Sequence, residues 1–204
     1  MTSKITGTGS LYLKEQAAAL AEVGASGQVW VDDATPNTLM FTNDAGTDEQ
    51  LSGLGYQSVV QVVNVTDGEV ATGTTTTPDN DTIPQITEGN EYMTLAITPK
   101  SATNILKIEV VWVGAVTSAA RKAIALFQDS TADTLAVVYS YMPAGQSNSN
   151  TFVHYMTAGT VSATTFRVRV GSSNAGTTTF NGDAGNRYYG GRMSSSITIT
   201  EYTP

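Results

Sequence analysis

From Val59 to Tyr202 the chain is a succession of short apolar runs, each of strand length and most set apart from the next by Gly, Pro or Asn. They are Val59 to Val65, Met93 to Thr98, Leu106 to Val113, Ala123 to Phe127, Leu135 to Tyr141, Thr151 to Met156, Thr165 to Val170 and Ser196 to Tyr202. Runs this short do not fill a helix of ordinary length, and the turn formers between them reverse the chain each time. About eight antiparallel strands in two sheets is the jelly-roll arrangement, so the expected fold is mainly β, an antiparallel jelly-roll β-sandwich. Phe166-Arg167-Val168-Arg169-Val170 alternates strictly, which sends both arginines to one face, and Ile197-Thr198-Ile199-Thr200 does the same with hydroxyls. Val110-Val111-Trp112-Val113 is apolar on both faces and predicts a strand at the sheet centre or against another subunit. Ser118 to Leu126 has a helix-tolerant lead-in, but the flanking strands and the Asp129-Ser130 turn favour a strand.

The first 55 residues follow another pattern. Residues 1–10 are small and polar and read as an arm. Ser10 can cap a short helix over Leu13 to Val23, where Leu13, Ala17 and Leu20 share a face and Gly24 follows as a stop; an irregular segment fits the thin, alanine-rich stripe as well. Gln28 to Val31 and Leu39 to Thr42, around Pro36-Asn37, predict a β-hairpin. A second turn spans Asn43 to Thr47, and Ser52-Gly53-Leu54-Gly55 makes a linker. The expected organisation is an N-terminal arm and hairpin module over 1–55 and a jelly-roll domain over 56–204.

Only 14% of the residues are charged, against about 25% in an ordinary domain. Threonine, about one residue in six, takes their place together with Ser, Asn, Gln and Gly. Branching at Cβ favours strands, so this composition gives a β-rich fold with a neutral, hydroxyl-rich surface. The absence of cysteine excludes disulfides, thiolate metal sites and cysteine nucleophiles. A formal charge of −8 and ten scattered basic residues oppose nucleic-acid binding. No run of 18 apolar residues suggests a membrane helix, and the N-terminus lacks an apolar signal region, so folding in a cytoplasm is expected. On that expectation the sequons at Asn64 and Asn80 carry no glycan.

Few residues offer chemistry. His154 is the only histidine, which rules out a two-histidine metal site in one chain; alternating with Phe152 and Met156, it reads as a hydrogen-bonded core or interface residue. Ser147 lacks the nucleophile-elbow spacing and belongs to a polar loop. Asp79-Asn80-Asp81 starts like a calcium loop without its Gly and closing Glu; it reads as a solvated turn between Pro78 and Pro84, with cation binding left open. Asp44, Asp48 and Glu49 fit a hairpin turn. Gly182 to Arg187 and Gly190-Gly191-Arg192 do not match phosphate-loop spacing and read as turns. Tyr188-Tyr189 beside Arg187 and Arg192 is a candidate contact surface or a packed sheet end. Thr74 to Thr77 reads as an exposed extended loop. No catalytic, cofactor-binding or metal site is expected.

Leu11 to Ala19, Gly27-Gln28-Val29-Trp30-Val31 and Thr35 to Thr47 resemble a short module of tailed-bacteriophage virion proteins, especially fibre and decoration proteins. Asp81-Thr82-Ile83-Pro84, Thr87-Glu88-Gly89, Thr98-Pro99, Leu126 to Ser130 and Gly190 to Ile199 resemble a phage jelly-roll domain. The resemblance covers nearly the whole chain and is specific for a phage structural protein, not for its place on the particle. It implies a non-enzymatic homotrimer and, with no shaft-like repeat, a capsid cement or decoration protein whose partner is the major capsid protein. The alternative is a tail-fibre tip that binds an adaptor protein and a host surface glycan. For that role Tyr139, Tyr141 and Tyr155 are available, although packing within the sandwich is expected of them. A polysaccharide-degrading enzyme would need paired carboxylates about 5 to 9.5 Å apart across a cleft, and the acids here sit in turn contexts.

Overall fold

A computed structural model describes residues 15–16, 27–32, 38–43, 45–51 and 57–204. The chain divides into two compact units, Met1–Tyr56 and Gln57–Pro204. In the first, β1 (Glu15–Gln16) runs parallel to β2 (Gln28–Asp32), which pairs antiparallel with β3 (Thr38–Thr42), and β3 with β4 (Asp48–Gln50). The hairpin expected at 28–42 is therefore present. Trp30 is its buried anchor: Nε1 donates to Thr42 Oγ1 at 2.8 Å, and Thr42 Oγ1 donates to Asp48 Oδ1 at 2.5 Å. Asp48 is thereby committed to the turn. Of the segment 13–23, Glu15 and Gln16 are extended and not helical; its remaining residues, with the arm at 1–10, Asp44 and the linker at 52–55, lie outside the described residues.

The second unit contains β5 (Val59–Asp67), β6 (Ala71–Gly73), β7 (Asn90–Ile97), β8 (Ile105–Val116), β9 (Ala120–Gln128), β10 (Ala136–Met142), β11 (Gln146–Thr157), β12 (Thr164–Ser172), β13 (Thr178–Phe180), β14 (Gly182–Asp183), β15 (Asn186–Arg187) and β16 (Ser195–Tyr202), with a single 3-10 turn at Tyr189–Gly191. Its long strands pair in nested fashion: β5 with β16, β7 with β12, β8 with β11, and β9 with β10, all antiparallel. Further pairing of β16 with β8 and of β12 with β9 joins them into two sheets, β5-β16-β8-β11 and β7-β12-β9-β10. That is the jelly-roll sandwich. β13 and β6 extend the first sheet beside the C-terminal end of β8.

The sheets close on a core of Leu106, Ile108, Val110 and Trp112 from β8, Ile124 and Leu126 from β9, Phe166, Val168 and Val170 from β12, and Ile197 and Ile199 from β16. Each set lies at alternate positions, so one face of every strand loses its apolar area to the core. Gly114 makes room for the Trp112 indole; a Cβ there would lie 2.4 Å from the ring and 2.1 Å from the Thr179 carbonyl oxygen. β8 occupies the sheet centre expected of a doubly apolar strand: Val110 and Trp112 point inward, whereas Val111 and Val113 are half-buried on the outer face. Of the segment Ser118 to Leu126, the residues from Ala120 onward are strand, as expected; Ser118 and Ala119 form the bend before it.

Two expectations need correction. Gln146 to Asn150, with Ser147, is the first half of β11 and not a loop; it pairs with Val116 to Trp112. The polar residues suit that place because Asn148 and Asn150 face a polar end of the sandwich. Second, the threonine run is not a free loop. Residues 74–89 form a strap that returns across the outer face of β12 and β9: Thr77 is buried and its N–H donates to the Ser172 carbonyl at 3.1 Å. The strap fits because the strand beneath it is small. A Cβ at Gly171 would lie 2.5 Å from Thr77 Oγ1 and 2.8 Å from Thr77 N.

Candidate functional site

The strap ends short of β10 and leaves an open groove of about 150 Å³ along its margin. One wall is strap, with Pro78, Asp79, Asn80 and Thr82; the floor is Arg121 and Ala123 of β9 and Val137 and Tyr139 of β10, with Ser173 at one end. Asp79 is ion-paired through Oδ2 with Arg121 Nη1, which ties the wall to the floor. Asn80 Oδ1 accepts the N–H of Thr82 at 3.1 Å and its hydroxyl at 2.5 Å, which holds the turn. Arg121 also lies over the Tyr139 ring, 5.9 Å from its centroid. The far end of the strap is clamped by Arg169, whose Nε and Nη2 donate to the carbonyls of Glu88 and Gly89 at 3.1 and 2.8 Å. Arg167 and Arg169 share one face, as their spacing predicts, and both bridge to Glu91.

Sequence reasoning put Tyr139, Tyr141 and Tyr155 inside the sandwich. They are outside: Tyr139 and Tyr141 are each 65% exposed and Tyr155 is 59% exposed. On β10 the inward positions go instead to Val138, Ser140 and Met142. The reason is the polar end of the sandwich, where Asn148 Nδ2 donates to Ser140 Oγ at 3.1 Å and Ser140 Oγ to Asn150 Oδ1 at 3.2 Å. Lys122 completes this cluster. Fully buried, it donates to Asn148 Oδ1 and lies 3.9 Å from the centroid of the Trp112 ring. With no carboxylate beside it among the described residues, burial pulls its ammonium down to about 7. No motif signals this residue; only the inward parity of position 122 on β9 could have.

The remaining candidates are separated. His154 points inward beside Phe152 and Met156, half-buried; burial lowers its pKa, and its imidazole has no hydrogen-bond partner among the described residues, contrary to the expectation of one. Ser147 is exposed on β11, with no side-chain hydrogen bond to a base among the described residues. Glu201 is a fully buried carboxylate. Burial alone would raise its pKa, but donors from Asn104, Gln61 and the N–H groups of Lys100 and Ser101 outweigh that and hold it below the usual value. Asn104, Lys100 and Ser101 tie it to the loop after β7, and Gln61 ties it to β5. Gly182 to Arg187 is the tight hairpin of β14 and β15. Tyr188 and Tyr189 are exposed, their rings 6.5 Å apart, so this pair is surface and not a packed sheet end. Among the described residues, no three His, Asp or Glu side chains converge as a metal site would require.

A second surface is the outer face of the sheet β5-β16-β8-β11. Register places Thr66, Ser196, Val111 and Thr151 in one row and Val62, Thr200, Lys107 and Tyr155 in another, with Asn64, Thr198, Glu109 and Val153 between them. Its only charges are Lys107 and Glu109, paired at 3.0 Å. On a chain of net charge −8, this face is neutral, rich in hydroxyls and set with exposed Val62, Val153 and Tyr155.

No protein-family model matches the sequence, and no curated protein matches it at a significant level. Among solved structures, the Eiger TNF of S. frugiperda is similar at a TM-score of 0.39 and 9% identity, over 69% of this chain and 92% of that one. A structure of infectious bursal disease virus, Gx strain, is similar at a TM-score of 0.36 and 12% identity, over 77% of this chain and 39% of that one. The enzymatically active domain of bacteriophage CBA120 tailspike protein 4 is similar at 0.24 and 14% identity, over 61% of this chain and 19% of that one. Superpositions this partial, at identities this low, bear on no functional assignment.

Proposed function

We propose that the chain is a non-enzymatic structural protein of a bacteriophage particle, which binds the capsid shell as a homotrimer and stabilises it as a cement or decoration protein. The observation that carries this reading is the neutral outer face of β5-β16-β8-β11. Copies of an acidic chain repel one another, and they meet at lowest cost where net charge is absent. Hydroxyl and apolar groups lose less on desolvation than Lys or Glu, so such a face suits a wide contact between subunits. The sequence resemblance to phage virion modules supports the particle role, and the major capsid protein is the partner it implies. Nucleic acid is disfavoured by the charge, and among the described residues no helix is long and apolar enough to cross a membrane.

Copy number tests the assignment. Quantitative mass spectrometry of purified particles is expected to find hundreds of chains on DNA-filled heads; a few dozen confined to tails would overturn the capsid role. Light scattering of the purified full chain is expected to return about three times its 21.4 kDa mass, and a persistent monomer would count against the trimer.

A further inference from the structure

We infer that the groove between the strap and β9–β10 is a binding site for a neutral saccharide, with Tyr139 as the platform for one sugar ring. Tyr139 is left 65% exposed in the floor of a concavity, beside Val137 and Ala123; Arg121 lies over one side of its ring at 5.9 Å, and the remaining exposed ring surface is apolar and of the size of a pyranose. Around it stand polar groups that the fold does not use up. Asp79 spends only Oδ2 on Arg121, which leaves Oδ1 as an acceptor and the other guanidinium N–H groups as donors. Asn80 commits its oxygen to Thr82 and leaves Nδ2 free to donate. Ser173 Oγ accepts the backbone N–H of Arg121 at 3.2 Å and keeps its proton for another acceptor. Donors and acceptors of both kinds thus line the groove that holds the aromatic ring, the combination that reads a ring bearing several hydroxyls. Arg121 and Asp79 are the only charged residues lining the groove and neutralise each other. A phosphate or carboxylate would find no net positive charge here, whereas a sugar hydroxyl finds charge-assisted partners of both kinds.

The groove lies on the sheet opposite to the neutral face assigned to assembly, so a subunit held by that face keeps it open. This inference therefore does not rest on the particle role. Its test is saturation-transfer NMR of the full-length protein with maltohexaose, cellohexaose, mannohexaose and chitohexaose at millimolar concentration, with sialyllactose as the charged comparison. At least one neutral oligosaccharide is expected to bind, and Tyr139→Ala to weaken it about tenfold. Tyr141→Ala, equally exposed on the same strand but outside the groove, is expected to leave binding unchanged. Both residues are at the surface, so neither change should disturb folding or the mass in light scattering. No signal from any neutral oligosaccharide, binding only to sialyllactose, or equal loss in both variants would each overturn the proposal.

Discussion

Lys122 is the residue whose surroundings most constrain its behaviour. Its ammonium has left water for one amide oxygen and the face of an indole, and that exchange favours the neutral amine. In the unfolded chain it titrates near 10.5, folded near 7. Between those values the unfolded state binds a proton that the folded state lacks, so this residue makes stability rise with pH. Thermal unfolding is expected to show a Tm climbing from pH 7 to roughly pH 9, and Lys122→Met is expected to flatten that climb. An equal slope in the variant would show that another group carries it. At higher pH the sign reverses through Tyr92, whose phenol burial pushes up to about 12. It favours the folded state below its unfolded value of 10.0 and loses that contribution as pH rises toward about 12. None of this was legible in Arg121-Lys122-Ala123, because an isolated lysine in a strand signals burial only once its face is known.

Among the elements, the eight long strands were readable because each carries apolar residues at alternate positions or in a continuous run. Their boundaries were read short wherever polar residues continue the pairing, as at Gln146 to Asn150, where hydrogen bonds to β8 continue without an apolar face to mark them. β10 misled for a physical reason: its bulky tyrosines alternate with Val138 and Ser140, and the usual ranking puts the aromatic residues inside. The polar cluster of Lys122, Asn148 and Asn150 reverses that choice. The strap was hidden because its docking depends on absent side chains in distant strands, Gly171 above all. Gly171→Val is therefore expected to lift the strap while leaving the sandwich folded, at a cost of about 1–3 kcal/mol. Hydrogen exchange reads this directly: the amides of Thr77 and Gly89, which bond to Ser172 and Thr76, should lose protection while those of β8 keep it. Retained protection at Thr77 would mean that the strap accommodates the side chain. Displacing the strap should also open the saccharide groove and weaken binding there.

At the scale of the molecule, the jelly-roll unit presents two dissimilar outer faces. One is neutral; the other is crossed by the strap and carries the Arg167–Glu91–Arg169 bridge and the groove. If copies meet through the neutral face, a charge placed on it should separate them, since symmetry repeats it at every contact. Thr151→Glu, at an exposed position beside Val111, is expected to shift light scattering from trimer to monomer with the β-sheet circular dichroism unchanged. A trimer that survives the change would place the interface elsewhere. By itself the sequence determined the all-β class, the eight jelly-roll strands, the hairpin at Trp30 and the dearth of catalytic groups. Alternation, turn formers and composition are local properties, and they suffice for those. Tertiary structure alone decided that three tyrosines face solvent, that a threonine-rich segment is a docked strap, that Asp79 pairs with Arg121 across 42 positions, and that a lysine lies within the sandwich. Each depends on which surfaces meet once the sheets close, and residues far apart in the chain settle that jointly.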